Sequence, residues 1–233
     1  MRQNSTNQTT DNDFSTSLRG FGLVGVLFTI IVVLIGNVSF ANIIILPIGA
    51  LVVLAWVKIT ETPLREIGYV KPKSWIVIVV IGLILGITFK FLMKAIVMPI
   101  FGANPVNQSY HFLAGNKALL PAAIWAMLAA GFGEETVFRG FLFARLERLL
   151  GRNRNSKVLI VTITSALFAF SHYSQGIAGI EQAAITGLVF GSIYAGSRSI
   201  WMIMIAHATF DLTALALIYW NLEISVAHII FKG

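Results

Sequence analysis

The stretch SWIVIVVIGLILGITFKFLMKAIV, residues 74–97, decides the fold class of this chain. Its charged residues are Lys90 and Lys94, and both lie near its end. An apolar run of this length forms a helix that can cross a hydrocarbon core about 30 Å thick. We interpret the two lysines as interface anchors, whose long stems let the ammonium groups reach water.

Similar apolar runs follow one another along the rest of the chain. Of its 233 residues, 57% are hydrophobic and only 12% are charged, with a mean hydropathy of +0.82. A soluble domain carries about 25% charged residues. We therefore predict an all-α polytopic membrane helix bundle of about seven transmembrane helices, with eight as the alternative, in the cell (plasma) membrane. The predicted spans are approximately 21–36, 40–58, 74–97, 118–146, 157–172, 178–196 and 199–220.

Positive charge concentrates in two connections between these spans. Segments 58–74 (KITETPLREIGYVKPKS) and 145–157 (RLERLLGRNRNSK) carry most of the Lys and Arg residues behind the net charge of +7. This placement argues against nucleic-acid binding and for the positive-inside rule. Both connections are predicted to be cytoplasmic, which also places the N-terminus in the cytoplasm and, with seven spans, the C-terminus outside.

The chain is predicted to form one membrane domain. We expect a polar, disordered tail over 1–19, a single transmembrane helical domain over 20–220 with a motif-bearing core at about 118–215, and a C-terminal tail over 221–233. Two GxxxG matches, Gly82–Gly86 and Gly187–Gly191, predict close helix packing. The absence of cysteine leaves carboxylate, imidazole and hydroxyl groups for chemistry.

Residues 131–140, GFGEETVFRG, place three ionisable side chains inside one apolar span. Each costs about 2.5–3.5 kcal/mol at the centre of a membrane helix when it is unpaired. Glu135 and Arg139 have the spacing of a helical ion pair. Glu134 is rotated by about 100° and has no such partner in its own helix. A buried structural cluster explains the pair but not Glu134, which is therefore the candidate functional residue.

Ionisable residues on two other spans are candidate partners for Glu134. FSH ends the fifth span with His172, one turn after Phe168, and HATFD places His207 and Asp211 one turn apart on the seventh. The remaining histidines, at 111 and 228, are predicted to face solvent or the interface. A carboxylate beside an imidazole can activate water. A second imidazole can donate to an oxyanion. Two histidines and a glutamate are also a known zinc-ligand set, so a metal site stays open.

The motifs EETVFR, FAFSH and HATFD resemble, in this order, the EExxxR, FxxxH and HxxxN/D motifs of the CPBP family. This family contains the CAAX prenyl endopeptidases and the bacterial Abi or bacteriocin-processing proteins. Segment 63–74, PLREIGYVKPKS, also looks like the cytoplasmic loop that precedes the family's core. The resemblance implies an intramembrane protease.

The resemblance also implies a role for each motif residue. Glu134 would activate water that His172 helps to hold, His207 and Asp211 would line the oxyanion site, and Glu135 and Arg139 would support the geometry. Family members closest to the prenyl endopeptidases have Asn where this chain has Asp211, and an ionised Asp cannot donate to an oxyanion. Asp211 would instead be protonated, orient His207 or bind a metal. If a metal such as Zn2+ takes part, Glu134, His172, His207 and Asp211 are its candidate ligands; the alternative is glutamate-dependent hydrolysis without a cofactor.

The leading hypothesis is an intramembrane endopeptidase that hydrolyses a peptide bond at or near the cytoplasmic half of the bilayer. Its expected partners are membrane lipids and a peptide or protein substrate, membrane-anchored or lipidated as one option. The first alternative is a non-catalytic immunity or anchoring protein that keeps the motif cluster as a structural core. A second is a proton-coupled transporter that uses Glu134 and the histidines as a relay.

Overall fold

The computed structural model describes residues 13–38 and 47–231, which form helices and no β-strand. Each predicted span falls on one of the helices α2 to α8, except that residues 40–46 of the second span lie outside the described residues. In chain order the helices are α1 (Asp13–Arg19), α2 (Leu23–Val38), α3 (Ile48–Ile59), α4 (Trp75–Ile100), α5 (120–150), α6 (Arg154–Ser171), α7 (Gly176–Ser197), α8 (Ile200–Tyr219) and α9 (Glu223–Ala227).

Three of the described helices are long and apolar enough to cross a membrane: α4, α8 and the helical segment Tyr173–Ser197 that contains α7. A fourth is possible if α1 and α2, which meet at a 55° bend, form one broken span. Helix α4 presents a broad apolar surface outward, where Ile76 is 77% exposed. The all-α membrane bundle is therefore confirmed, whereas the count of seven spans stays a prediction.

Helix α8 is the centre of the bundle and packs closely against α4 and α5. A Cβ atom on Gly86 of α4 would lie 2.4 Å from the carbonyl oxygen of Ala206, and one on Gly131 of α5 would lie 2.5 Å from the amide nitrogen of Ala208. Only glycine, which has no Cβ atom, permits two helix backbones to approach this closely. Gly187 of α7 meets Ser165 of α6 in the same way, with a Cβ distance of 2.9 Å. The close packing predicted from both GxxxG matches is confirmed.

Helix α5 changes its winding immediately after the two glutamates. It is α-helical over Leu120–Glu135, π-helical over Thr136–Leu142, and α-helical again over Phe143–Leu150. Every residue of the π-helical segment is buried. Such segments occur often at functional sites, because the wider turn changes the direction in which side chains point.

The connection between α3 and α4 packs against the end of the motif-bearing helices. Ile67 is fully buried, and a Cβ atom on Gly140 would lie 3.0 Å from its carbonyl oxygen. Gly68, with a φ of +86°, accepts a hydrogen bond from the amide of Ile200 at 3.0 Å. Tyr69 bonds the hydroxyl of Thr136 at 2.7 Å. This connection closes one end of the bundle below the glutamates.

Residues 13–19, which belong to the segment predicted as a disordered tail, form helix α1. Helix α1 buries Leu18, whose carbonyl oxygen accepts a hydrogen bond from Trp56 Nε1 at 3.1 Å. Arg19 pairs with Glu66 at 3.0 Å. The indole, the guanidinium and the apolar contact together hold this helix on the bundle. The remainder of the predicted tail, residues 1–12, lies outside the described residues.

The prediction that Lys90 and Lys94 are interface anchors was wrong. Both are buried, with exposures of 4% and 3%. Lys94 Nζ pairs with Glu223 Oε1 at 2.8 Å, and Lys90 Nζ donates to Gln182 Oε1 at 2.8 Å. Glu223 lies in α9, within the segment predicted to be a tail. Both partners, Glu223 and Gln182, lie far along the chain from α4, so neither could be recognised from the sequence around the lysines.

Candidate active site

Glu135 and Arg139 form the ion pair that their spacing predicted. Arg139 Nη1 donates to Glu135 Oε1 at 3.0 Å, and the two side chains are 1% and 0% exposed. The guanidinium also lies 4.5 Å from the ring centre of Phe168. Such a buried pair is stable only because each charge has its counter-charge in place.

The carboxylate of Glu134 is buried beside this pair but does not join it. Its Oε2 atom has no hydrogen-bond partner among the described residues. His207 Nε2 lies 3.8 Å from this oxygen, beyond hydrogen-bond length. A buried carboxylate oxygen without a partner is costly. Glu134 therefore has capacity to accept a hydrogen bond from a molecule that enters the site.

His207 lies between three carboxylates. Its Nδ1 atom donates to Glu135 Oε1 at 2.7 Å, and its Nε2 atom lies 3.5 Å from Asp211 Oδ2 and 3.8 Å from Glu134 Oε2. Glu135 thus orients the imidazole, a function that the sequence alone had offered to Asp211. Because Nδ1 carries the hydrogen, donation from Nε2 requires the imidazolium form.

His172 is held by the carbonyl group one turn before it. Its Nδ1 atom donates to the oxygen of Phe168 at 2.8 Å. In the neutral tautomer that this bond selects, Nε2 carries the lone pair and can accept a hydrogen bond. The Phe168 ring packs between both imidazoles, at 4.7 Å from His172 and 5.8 Å from His207. The FxxxH spacing thus supplies both the carbonyl acceptor and the aromatic support.

The four predicted catalytic residues line one cavity of about 300 Å³. These are Glu134, His172, His207 and Asp211. The supporting residues Glu135, Arg139 and Phe168 lie behind them, buried to 1% exposure or less. Helices α5, α6 and α8 each contribute one motif. The structure therefore brings together every site residue that the sequence predicted, and leaves His111 and His228 exposed.

The cavity also contains polar residues that the motifs did not reveal. Lys90, Tyr110, Gln175 and Gln182 line it, and Gln175 Nε2 donates to the Tyr110 hydroxyl at 3.1 Å. Burial, together with the negative charges of Asp211 and Glu134, raises the pKa of Tyr110 to about 12. Its hydroxyl therefore keeps its hydrogen at neutral pH. Neither Tyr110 nor Gln175 lies in a motif. In the sequence, they are distinguished only as polar residues beside an apolar span.

The geometry gives no direct support for a metal site. Within the described ranges, no group of three or more His, Asp or Glu side chains is placed to hold a metal ion. Both imidazoles use Nδ1 for a hydrogen bond, to Glu135 and to a backbone carbonyl, which leaves Nε2 as the ring atom that would bind a ligand. A metal such as Zn2+ held by Glu134, His172, His207 and Asp211 therefore stays a prediction.

Comparison with known proteins matches the same part of the chain. Residues 116–213 match the family model described as type II CAAX prenyl endopeptidase Rce1-like. The motif-bearing segment is Rce1-like. The match includes all four cavity carboxylate and imidazole residues and ends just after Asp211. No curated protein and no solved structure matched the chain.

The Rce1-like match agrees with the resemblance that the three motifs carry. It covers helices α5, α6, α7 and most of α8, and leaves α1 to α4 outside. The family matched by this segment is one of proteases, and together with the long apolar helices the match indicates an integral membrane protein. Lys90 and Tyr110 of the cavity lie outside the matched residues.

Proposed function

We propose that this protein is an intramembrane endopeptidase in which Glu134 activates water for attack on a peptide bond. The observation that carries this proposal is the buried Glu134 carboxylate, whose Oε2 atom has no hydrogen-bond partner among the described residues, on the wall of a cavity of about 300 Å³. A structural role would require a partner for that oxygen. A general base requires the opposite, an oxygen available to the reacting water.

His172 complements Glu134 in this mechanism. With Nδ1 donating to the carbonyl oxygen of Phe168, the neutral ring has its lone pair at Nε2. Water held between Glu134 and His172 would donate one hydrogen to each. As the water oxygen attacks the carbonyl carbon of the substrate, its proton passes to the Glu134 carboxylate. Glu134 then returns that proton to the leaving amine, and the C–N bond breaks.

His207 is the proposed donor to the oxyanion that forms during attack. Its position is determined by Glu135, which accepts from Nδ1 at 2.7 Å, while Nε2 lies on the cavity side near Glu134 and Asp211. In the imidazolium form, Nε2 donates to the oxyanion and the ring charge offsets the negative charge there. Asp211, 3.5 Å from Nε2, is proposed to hold that charge in the resting site.

The surrounding packing excludes bulk water from the base. Phe138 and Phe168 contact each other edge to face at 5.3 Å, and both are buried to 1% exposure or less. Phe190 packs against His207 at 5.6 Å. A site shielded on this side strengthens each electrostatic contact within it.

The deciding experiment replaces Glu134 with Gln in purified, reconstituted protein that cleaves a candidate membrane peptide. The amide matches the carboxylate in shape but cannot take a proton from water, so we expect cleavage to fall by about 10²–10⁴-fold. Glu61→Gln, at an exposed position between α3 and α4, is the matched control and should cleave as wild type.

Two results would separate the alternatives. Undiminished cleavage by the Glu134→Gln protein would exclude Glu134 as the base. If neither the wild type nor the variant cleaves any membrane peptide offered, and both protect or bind equally, the immunity or anchoring function would replace the proposal. Unfolding temperatures of the two proteins, followed by tryptophan fluorescence, show whether the variant remains folded.

A further inference from the structure

The cavity occupies one end of the bundle. Helix α5 contributes lining residues up to Glu134, helix α7 contributes Gln182 near its start, and helix α8 contributes residues from His207 onward. No later residue of α5 or α7, and no earlier residue of α8, lines it. Because α5 and α7 run antiparallel to α8, these three portions lie at the same end. The connection 101–119 contributes Asn107, Tyr110 and Phe112 at the mouth.

The basic connections lie together at the opposite end. Arg148, after the π-helical segment of α5, pairs with Glu66 between α3 and α4. Arg198, between α7 and α8, pairs with Glu147 at 2.8 Å. These contacts join segments 58–74, 145–157 and 198–199 into one strongly basic surface. In the described connections at the cavity end, the exposed basic residue is Lys117.

We infer that the cavity opens on the non-cytoplasmic side of the membrane. Connections rich in Lys and Arg stay in the cytoplasm. The basic end is therefore the cytoplasmic end, and it is also the end that Ile67 and the packed aromatic rings close. Substrate then reaches Glu134 from outside the cytoplasm. Hydrolysis at or near the cytoplasmic half of the bilayer stays a prediction, because it concerns how deep the reacting groups lie in the membrane. The entrance to the cavity is a separate matter and lies at the non-cytoplasmic end.

The two walls of the cavity indicate the chemical class of its occupant. One wall is apolar, with Leu119, Met127 and Leu215, and the other carries the amides of Gln175 and Gln182. Side-chain amides both donate and accept, as peptide groups do. This combination fits an extended peptide with apolar side chains. Resting on the proposed function, the substrate is thus a peptide exposed outside the cytoplasm.

The cysteine-free sequence permits a direct test of the entrance. Single cysteines would be placed at Ala126 on the cavity wall, at Ile124 on the lipid-facing side of α5, at His111 near the mouth, and at Arg152 in the basic connection. A membrane-impermeant thiol reagent would be added to intact cells and, separately, to inside-out vesicles. Labelling after denaturation shows that each cysteine is present, and the unfolding temperature of each variant shows that the protein is folded. Ala130→Cys repeats the wall position if Ala126→Cys does not fold.

We expect the reagent added to intact cells to label His111→Cys and Ala126→Cys, but neither Arg152→Cys nor Ile124→Cys. In inside-out vesicles the reagent should instead label Arg152→Cys and none of the other three. Labelling of Ala126→Cys only from the cytoplasmic side, or from neither side, would overturn the inference. The assay does not depend on catalysis, so an active Glu134→Gln protein would refute the proposed base and leave the direction of the entrance intact.

Discussion

His207 Nδ1 lies 2.7 Å from Glu135 Oε1, the same oxygen that accepts a hydrogen bond from Arg139. One carboxylate oxygen therefore links the ion pair on α5 to the imidazole on α8. The contact distinguishes the two adjacent glutamates, since Glu135 orients the histidine whereas Glu134 Oε2 has no hydrogen-bond partner among the described residues.

Replacing Glu135 with Gln should destabilise the protein more than replacing Glu134 with Gln. The amide leaves the Arg139 charge buried without its partner, and loss of one member of a buried pair costs about 3–5 kcal/mol. Tryptophan fluorescence during denaturation in detergent measures the difference.

The double variant Glu135→Leu with Arg139→Met supplies the control. It removes both charges, so its free energy of unfolding should lie closer to that of wild type than the values for Glu135→Leu alone and Arg139→Met alone. A loss in the double variant equal to the sum of the two single-variant losses would show that Glu135 and Arg139 do not stabilise the fold as a pair.

Asp211→Asn and Asp211→Leu should both reduce cleavage, with Leu the more severe. The Asp211 carboxylate, whose Oδ2 atom lies 3.5 Å from His207 Nε2, is the group proposed to hold the imidazolium charge, and both substitutions remove it. Asn supplies an N–H at this position that can donate to the oxyanion, whereas an ionised Asp and Leu cannot. Steady-state cleavage of one peptide by the three proteins measures the difference. Cleavage by Asp211→Leu at the wild-type rate would show that the reaction needs neither a charge nor a donor at position 211.

Gly86→Ala should weaken the contact between α4 and α8. The added Cβ would lie 2.4 Å from the backbone oxygen of Ala206, so one helix must shift. Overpacking of this kind costs about 1–3 kcal/mol. Gly196→Ala is the matched control, because a Cβ there meets nothing within 4 Å. Unfolding temperatures should fall for the first variant and remain equal or rise for the second. A Gly86→Ala protein as stable as wild type would show that this helix contact tolerates separation.

The phenol of Tyr110 should ionise late when the folded protein is titrated with base. Its pKa is raised from 10.0 to about 12, so the folded state holds this proton more tightly than the unfolded state. The corresponding stabilisation is complete below pH 10 and is lost as the pH rises towards 12. Absorbance titration of wild type against Tyr110→Phe isolates the transition. A Tyr110 component near pH 10 would indicate an open, hydrated mouth.

Much of the local chemistry could be predicted from residue spacing. The Glu135–Arg139 pair follows from a four-residue helical separation, and the support of His172 by Phe168 follows from the same separation. Gly82, Gly86, Gly187 and Gly191 likewise marked the close packing of their helices. These contacts involve residues one turn apart or a property of a single helix surface, and periodicity carries that information.

Contacts between distant segments could not be predicted in this way. Lys94 appeared to be an interface anchor because its partner, Glu223, lies on a helix far along the chain. Glu135 orients His207, and Tyr110 reaches the cavity from a connection outside every motif. Each of these contacts joins two different segments of the chain, so the spacing of residues along one helix does not predict it.

By itself, the sequence determined the helical membrane class and singled out Glu134 as the glutamate without a partner on its own helix, because apolar length and helical phase depend only on neighbouring residues. The tertiary structure alone decided which residue orients His207 and at which end of the bundle the cavity lies. Both depend on how α5, α7 and α8 meet, and therefore on packing between residues that lie far apart in the chain.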